Sequence, residues 1–296
     1  MTAPNRWQHD VLAANGIRLH YVIQGQGPLM LFLHGFPEFW YAWRHQIAEF
    51  ASDYTCVALD LRGYNESDKP LGVEAYRLEV LIEDVVGAIQ ALGFERCTLV
   101  GHDWGGAIAW AVAYAYPQRL DALVTLNIPH PARFAAGLRT PQQLLRSWYI
   151  GLFQIPVLPE LLLRVNDYWW IEPLFRGLAI RKTAFSDADL HAYKAAAAKP
   201  GALRAMVNYY RALRRGDWLT RPWSVLTVPT LLIWGEEDVA LGKELALGTE
   251  AYVGDFQLRY IPQCSHWVQQ EQPEQVNHYI REFLALKQGL PRTIAP

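Results

Sequence analysis

The strongest chemical signal in the chain is the run Leu99-Val100-Gly101-His102-Asp103-Trp104-Gly105-Gly106. An apolar stretch runs straight into Gly-x-Asp-x-Gly and then into a helical pattern. This is the strand–turn–helix setting of a nucleophile elbow, with aspartate in the place of serine. Glycines at 101 and 105 allow a turn too tight for side chains, and the start of a helix favours the anionic form of Asp103. A carboxylate attacks an sp³ carbon without a base and forms an alkyl–enzyme ester. A histidine is then free to activate water against that ester. The plainer reading, an aspartate that only caps the next helix, leaves the paired glycines and the apolar strand unexplained.

Elbow-type sites carry the acid and the histidine after the nucleophile in the chain. His266, in Tyr260-Ile261-Pro262-Gln263-Cys264-Ser265-His266-Trp267, lies on a loop after the last strand and is the expected base. Asp238 is the expected orienting acid, closing Glu236-Glu237-Asp238 after the strand pattern Leu231-Leu232-Ile233-Trp234-Gly235. Such an acid fixes the imidazole tautomer and stabilises its cation. Glu236 and Glu237 read as a solvated loop. Asn127, at the other place where an acid could stand, carries no charge. Of the nine histidines, His34 and His102 read as loop braces, and His20, His45, His191 and His278 as ordinary polar or surface positions. The expected oxyanion donors are two backbone N–H groups: that of Trp104, which follows the nucleophile, and that of Phe36 in His34-Gly35-Phe36-Pro37-Glu38.

These residues need a scaffold. Gln8–Ala13 and Arg18–Gln24 flank Asn15-Gly16 and read as a hairpin. Leu29–Leu33, Thr55–Leu59, Cys97–Val100 and Leu120–Leu126 read as buried strands, alternating with helical patterns at Leu78–Leu92 and Trp104–Tyr116. The alternation breaks at Pro129-His130-Pro131, and only helical patterns and loops follow as far as Pro222. It resumes with a strand at Thr230–Trp234, a helix at Lys243–Tyr252, a strand at Gln257–Ile261 and a helix at Pro273–Lys287. The pattern predicts an α/β fold whose mostly parallel central sheet is flanked by helices. Residues 1–128 and 223–296 form the core, and residues 129–222 are an inserted helical cap. The cap is expected over the carboxyl ends of the strands, where open α/β sheets hold their ligands.

Composition narrows the class. The 296 residues carry 27 Lys+Arg against 29 Asp+Glu, a formal net charge of −2, so no basic excess points to nucleic acid. The opening MTAPNRWQHD lacks an apolar leader, so no secretory signal is expected. The longest helix-like apolar run, Ala107–Tyr116, is ten residues, too short for a membrane span. The three cysteines, Cys56, Cys97 and Cys264, make neither a disulfide framework nor a zinc site, so a cytoplasmic protein is expected.

The motifs HGFPE at 34–38, RGY at 62–64, GHDWGG at 101–106, GEED at 235–238 and SHW at 265–267 resemble those of the α/β-hydrolase-fold epoxide hydrolases. The resemblance covers nearly the whole chain. It is specific for the aspartate-nucleophile branch, which haloalkane dehalogenases share, and less so for the substrate. It implies that two cap tyrosines hold the epoxide oxygen as the ring opens. Asn208-Tyr209-Tyr210-Arg211 and Ser147-Trp148-Tyr149-Ile150-Gly151-Leu152-Phe153-Gln154 resemble the segments that carry them, so Tyr210 and Tyr149 are the expected pair. Aromatic residues in a helical cap also serve as packing. The implied partners are a small epoxide and water, with no metal or organic cofactor. Pro37, Trp148 and Trp267, with Phe36 and Trp104, are expected to wall an aromatic, apolar pocket.

The rival reading is a haloalkane or haloacetate dehalogenase, which shares the Asp–His–Asp set. Trp104 suits the first, but Phe36 stands where those enzymes tend to carry asparagine, and Trp104 stands where haloacetate enzymes carry arginine. A non-catalytic receptor on the same fold generally keeps a serine at the elbow. Oligomeric state is not legible. Residues 129–222 hold 14 Lys+Arg and 6 Asp+Glu, and the rest holds 13 and 23, so a +8 cap faces a −10 core. This asymmetry is expected to help seat the cap.

Overall fold

In a computed structural model, residues 7–287 are described. The strands are β1 (Gln8–Ala14), β2 (Ile17–Gln24), β3 (Leu29–Leu33), β4 (Thr55–Leu59), β5 (Cys97–His102), β6 (Leu120–Leu126), β7 (Thr230–Gly235) and β8 (Phe256–Ile261). They form one sheet in the order β1-β2-β4-β3-β5-β6-β7-β8. Every pairing from β4 to β8 is parallel, while β2 runs antiparallel to both β1 and β4. Asn15 and Gly16 both have positive φ (45° and 75°), the geometry that lets two residues turn a hairpin. β3 and β4 are buried at every residue, as unbroken apolar strands covered on both faces must be.

Helices α1 (Arg44–Phe50), α2 (Leu78–Ala91) and α3 (Asp103–Ala115) belong to the first half of the core. Between β6 and β7 the chain is helical, with α4 (Pro131–Gly137), α5 (Pro141–Arg146), α6 (Trp148–Phe153), α7 (Leu158–Tyr168), α8 (Asp187–Ala197) and α9 (Ala202–Ala212). The core then closes with α10 (Val268–Glu271) and α11 (Pro273–Lys287). One expected helix is not there: Lys243–Tyr252 forms two short 3₁₀ turns, Lys243–Ala246 and Thr249–Ala251. Gly248, at φ +80°, bends the chain between them. Helical periodicity cannot register a single left-handed residue.

The helical insertion is seated mainly by aromatic packing and neutral donors. The Tyr209 hydroxyl donates to the Arg62 carbonyl at 2.7 Å, and its ring meets Tyr64 and Trp104 with centroids 5.3 Å away in each case. The backbone N–H groups of Ile180 and Arg181 donate to the Glu271 carboxylate at 2.8 and 2.9 Å. The expected electrostatic seating is weak. Among the described residues, two ion pairs run from insertion cations to core carboxylates, Lys199–Glu66 and Arg215–Glu74, and both are exposed surface pairs. Pairs of that kind are worth up to about 1 kcal/mol each. Arg44–Asp189 has the opposite polarity. Among the described residues no helix is long and apolar enough to cross a membrane, and the three cysteines are free and buried.

Candidate active site

Adjacent strand ends bring the expected residues together. The loop after β3 carries Phe36, the turn after β5 carries Asp103, β6 is followed by Asn127, β7 by Asp238 and β8 by His266. Because β3, β5, β6, β7 and β8 are consecutive neighbours in a parallel sheet, these loops open on one edge. Residues some 230 positions apart therefore share one small volume.

Asp103 begins α3 at φ +49°, in the left-handed region that non-glycine residues rarely adopt. The turn is tight on both sides. A Cβ on Gly105 would run into the backbone oxygens of Leu33 and His34, and one on Gly35 would lie 2.5 Å from the Asp103 Cβ. The Asp103 carboxylate is 13% exposed, enough to be reached from a cavity. Its Oδ1 accepts the Phe36 N–H at 2.7 Å. Its Oδ2 lies 3.6 Å from His266 Nε2, inside ion-pair range but too long for a hydrogen bond. The Trp104 N–H, the other expected donor, makes no hydrogen bond to this carboxylate among the described residues. The Phe36–Pro37 peptide is cis.

His266 Nδ1 donates to Asp238 Oδ2 at 2.7 Å. Asp238 is saturated, for Oδ2 also accepts from Asn127 Nδ2 at 2.8 Å and Oδ1 accepts the N–H groups of Ala240 and Leu241. Burial penalises all three charges, yet each shift goes the other way. Burial opposes the His266 cation, but the neighbouring Asp238 and Asp103 charges outweigh it and raise the imidazole well above 6.5. Burial likewise opposes the Asp103 and Asp238 carboxylates, but contact with His266 and their hydrogen bonds hold both below the ordinary 3.8. The arrangement is two anions sharing one cation.

Tyr149 on α6 and Tyr210 on α9 face this group, their ring centroids 5.7 Å apart. Burial, then the Asp103 charge, pushes both phenols far above 10, so both stay protonated hydrogen-bond donors. Two chambers meet here, and Asp103, Tyr149 and Tyr210 line both. One, of about 680 Å³, has Trp104, Ile128, Leu213 and Trp218 among its walls. The other, of about 1050 Å³, has Phe36, Leu163, Trp170, His266 and Trp267. Trp148 stands at the second chamber but is 66% exposed, at its lip rather than inside. Pro37 is buried beside Phe36 and lines neither chamber, which corrects its expected place in the pocket wall.

The braces lie deeper. His34 Nε2 accepts the Leu61 N–H and its Nδ1 donates to the Gly35 carbonyl, so the neutral Nδ1–H tautomer is required. His102 spans the Glu38 carboxylate (2.8 Å from Nδ1) and the His266 carbonyl (2.8 Å from Nε2). Glu38, given no role from sequence, is fully buried and also accepts from the Gly35 N–H and Gln270. It ties the Phe36 loop, the elbow and the His266 loop together. Its place inside the HGFPE motif was the available signal. His20, expected at an ordinary polar or surface position, is buried and bonded to Asp60 at 2.6 Å. Asn127, which carries no charge, donates its amide N–H to Asp238 Oδ2 and so helps fix that carboxylate. Among the described residues no group of His, Cys, Asp and Glu could hold a metal ion.

An aspartate on a tight strand-to-helix turn, with a histidine and a second acid, on a mostly parallel eight-stranded sheet, defines an α/β-hydrolase-type hydrolase. Residues 28–273 match the family model of the alpha/beta hydrolase fold. The chain is 45% identical to epoxide hydrolase 4 of Mus musculus, over 91% of this chain and 77% of that protein. It is 44% identical to an AB hydrolase superfamily protein of Bacillus subtilis, over 91% and 95%. Among solved structures, the epoxide hydrolase of Bacillus megaterium in complex with an inhibitor superposes with a TM-score of 0.87 at 39% identity, covering 93% of this chain and 99% of that one. An epoxide hydrolase of Vigna radiata gives 0.83 at 30% identity, covering 96% and 99%. The chain belongs to the α/β-hydrolase fold family and, within it, to the epoxide hydrolases.

Proposed function

We propose that the protein opens a small epoxide to a vicinal diol in two steps, with Asp103 as nucleophile, His266 as base, Asp238 as its orienting acid, and Tyr149 and Tyr210 as donors to the epoxide oxygen. Residues 129–222 act as the cap that carries the tyrosines. One observation supports this most. The two oxygens of Asp103 are differentiated, Oδ1 held by the Phe36 N–H and Oδ2 left 3.6 Å from His266 Nε2, beside chambers that Tyr149 and Tyr210 also line. In the first step Oδ2 bonds to an epoxide carbon, the carbon–oxygen bond of the ring breaks, and the released oxygen takes a proton from a tyrosine. A developing alkoxide is a poor leaving group, which is why the donors are needed. A halide would need none, so two protonated tyrosines over the nucleophile favour the epoxide over the haloalkane reading.

Esterification neutralises Asp103. One of the two charges that raise His266 disappears, so the imidazole becomes easier to deprotonate when a base is required. The His266 cation returns a proton to the tyrosinate left by ring opening; neutral His266 then takes a proton from water, and the hydroxide adds to the Asp103 carbonyl carbon. The oxyanion forms on Oδ1, where the Phe36 N–H already sits. Collapse breaks the bond from that carbon to the alkyl oxygen, which receives the His266 proton and leaves as the diol, and the Asp103 carboxylic acid that remains gives its proton back to His266. No step calls for a metal or organic cofactor. We place the enzyme in a reducing compartment such as the cytoplasm, in keeping with three free buried cysteines.

The test is a His266→Gln variant mixed with an aryl epoxide and, separately, a bromoalkane. We expect the epoxide to leave a stable adduct of its own mass on Asp103, and the bromoalkane to leave none. An alkyl adduct from the bromoalkane alone would replace this reading with the dehalogenase one.

A further inference from the structure

The cap carries an outward apolar surface that the proposed reaction does not use. Of the eighteen large hydrophobic residues that are exposed among the described residues, twelve lie between Leu144 and Ile180. On α7 the pattern is inverted. Leu158, Leu161 and Leu162 repeat at helical spacing and face solvent, while Leu163 lines the larger chamber. Val157 precedes this stripe, Trp169 follows it, and Trp148 stands at the chamber lip, all three exposed. Exposed apolar patches of this extent on a folded protein mark contact surfaces.

The surrounding charge indicates what covers it. The groove beside α7 is lined by Val157 and Leu161 together with Arg164 and Arg204. Arg146 stands with Trp148 at the chamber. Among the described residues none of these three arginines has a carboxylate within ion-pair distance. Glu160, the acid in the groove, is already held by Arg211 at 2.6 Å. Most of the +8 excess of residues 129–222 is therefore not neutralised by the core. Two copies meeting through this face would set those cations against each other. An anionic lipid surface would instead meet cations with phosphate, apolar side chains with acyl chains, and indole rings with the headgroup boundary.

We propose that the outer face of α7, with the chamber lip, docks reversibly on an anionic phospholipid membrane. The larger chamber then opens toward the bilayer, where apolar epoxides concentrate. Docking goes beyond the proposed reaction, and only the nature of the delivered substrate rests on that reading.

The experiment is flotation of the full chain with phosphatidylcholine vesicles, either pure or containing about one-third phosphatidylglycerol. We expect binding to the anionic vesicles that is at least about tenfold stronger than to neutral ones and falls away in about 0.5 M salt. A Leu161→Ser/Leu162→Ser variant should bind about tenfold more weakly while turning over a water-soluble epoxide as before. An Arg164→Glu/Arg204→Glu variant, which leaves the apolar face intact, should lose binding to the same vesicles. Failure of the unaltered protein to float with anionic vesicles overturns the proposal. So does equal, salt-independent binding to neutral ones, or a dimer in sedimentation that the Leu161/Leu162 variant dissociates. Flotation needs no turnover, so its failure would leave the proposed reaction standing.

Discussion

The α/β core and the helical cap are built on opposite terms. In the core, β3, β4, β5 and β7 are buried at every residue, and buried charges such as Glu38 and Asp238 have hydrogen bonds on every oxygen. The cap is made of short helices, none longer than 11 residues and α7 broken at Val165, Asn166 and Asp167, several with apolar side chains turned outward. Strand ends fixed by a ladder can hold reacting groups to a fraction of an ångström. Short helices on a chamber can shape what enters it. In the mechanism we propose, the difference separates the charges of the reaction, held in the core, from the oxygen donors and walls, held in the cap.

That division can be broken by substitution, starting where the effect is largest. Asp103→Ala should reduce diol formation by at least about 10⁴-fold and abolish incorporation of ¹⁸O from water into the protein. Retention of wild-type turnover would remove the nucleophile from the core. Next come the cap donors. Tyr149→Phe or Tyr210→Phe alone should slow ring opening by about 10- to 100-fold, and the double variant further, with kcat falling more than KM rises. Unchanged single-turnover ring opening in the double variant would detach the cap from the chemistry.

A pH measurement sharpens the comparison on the core side. His266 is raised in the folded state, so its contribution to stability is complete below pH 6.5 and is lost as pH climbs through its folded-state value. Asp103 and Asp238 are depressed, so theirs is present above pH 3.8 and is lost as pH falls through their folded-state values. Between those limits all three contribute. Asp103→Asn, a neutral stand-in for the ester, should move the His266 titration seen by NMR to lower pH. An unmoved titration would show that Asp103 does not help hold the imidazole cation. The smallest effect is expected at the seam. Lys199→Ala with Arg215→Ala should change thermal unfolding by the equivalent of about 1 kcal/mol or less, because neutral donors and rings do most of the seating. A large loss would restore charge asymmetry as the clamp.

Local signals reached far in this chain. Pro273–Lys287 and Leu29–Leu33 are the elements that periodicity predicts, residue for residue. That Asp103 and His266 meet in one site was legible because a tight turn demands glycine at given spacings and because chain order ranks the histidines. Legibility ended where a residue's partner lies far away. Glu38 is bonded to Gln270, 232 positions on. His20 reads as an ordinary strand residue until Asp60 covers it. Gly248 breaks a helix that its neighbours would otherwise continue.

Residue types and their order determined by themselves that this chain folds as an α/β hydrolase and which groups it brings to an elbow. Short-range periodicity and turn chemistry are properties of a few consecutive residues. Tertiary structure alone decided that Oδ1 of Asp103 meets the Phe36 N–H while Oδ2 meets His266. It alone decided that two chambers meet at the tyrosines, and that the apolar stripe of α7 faces out while Leu163 faces in. Distances, burial and charge balance depend on which distant segments are packed together, and no local pattern contains that information.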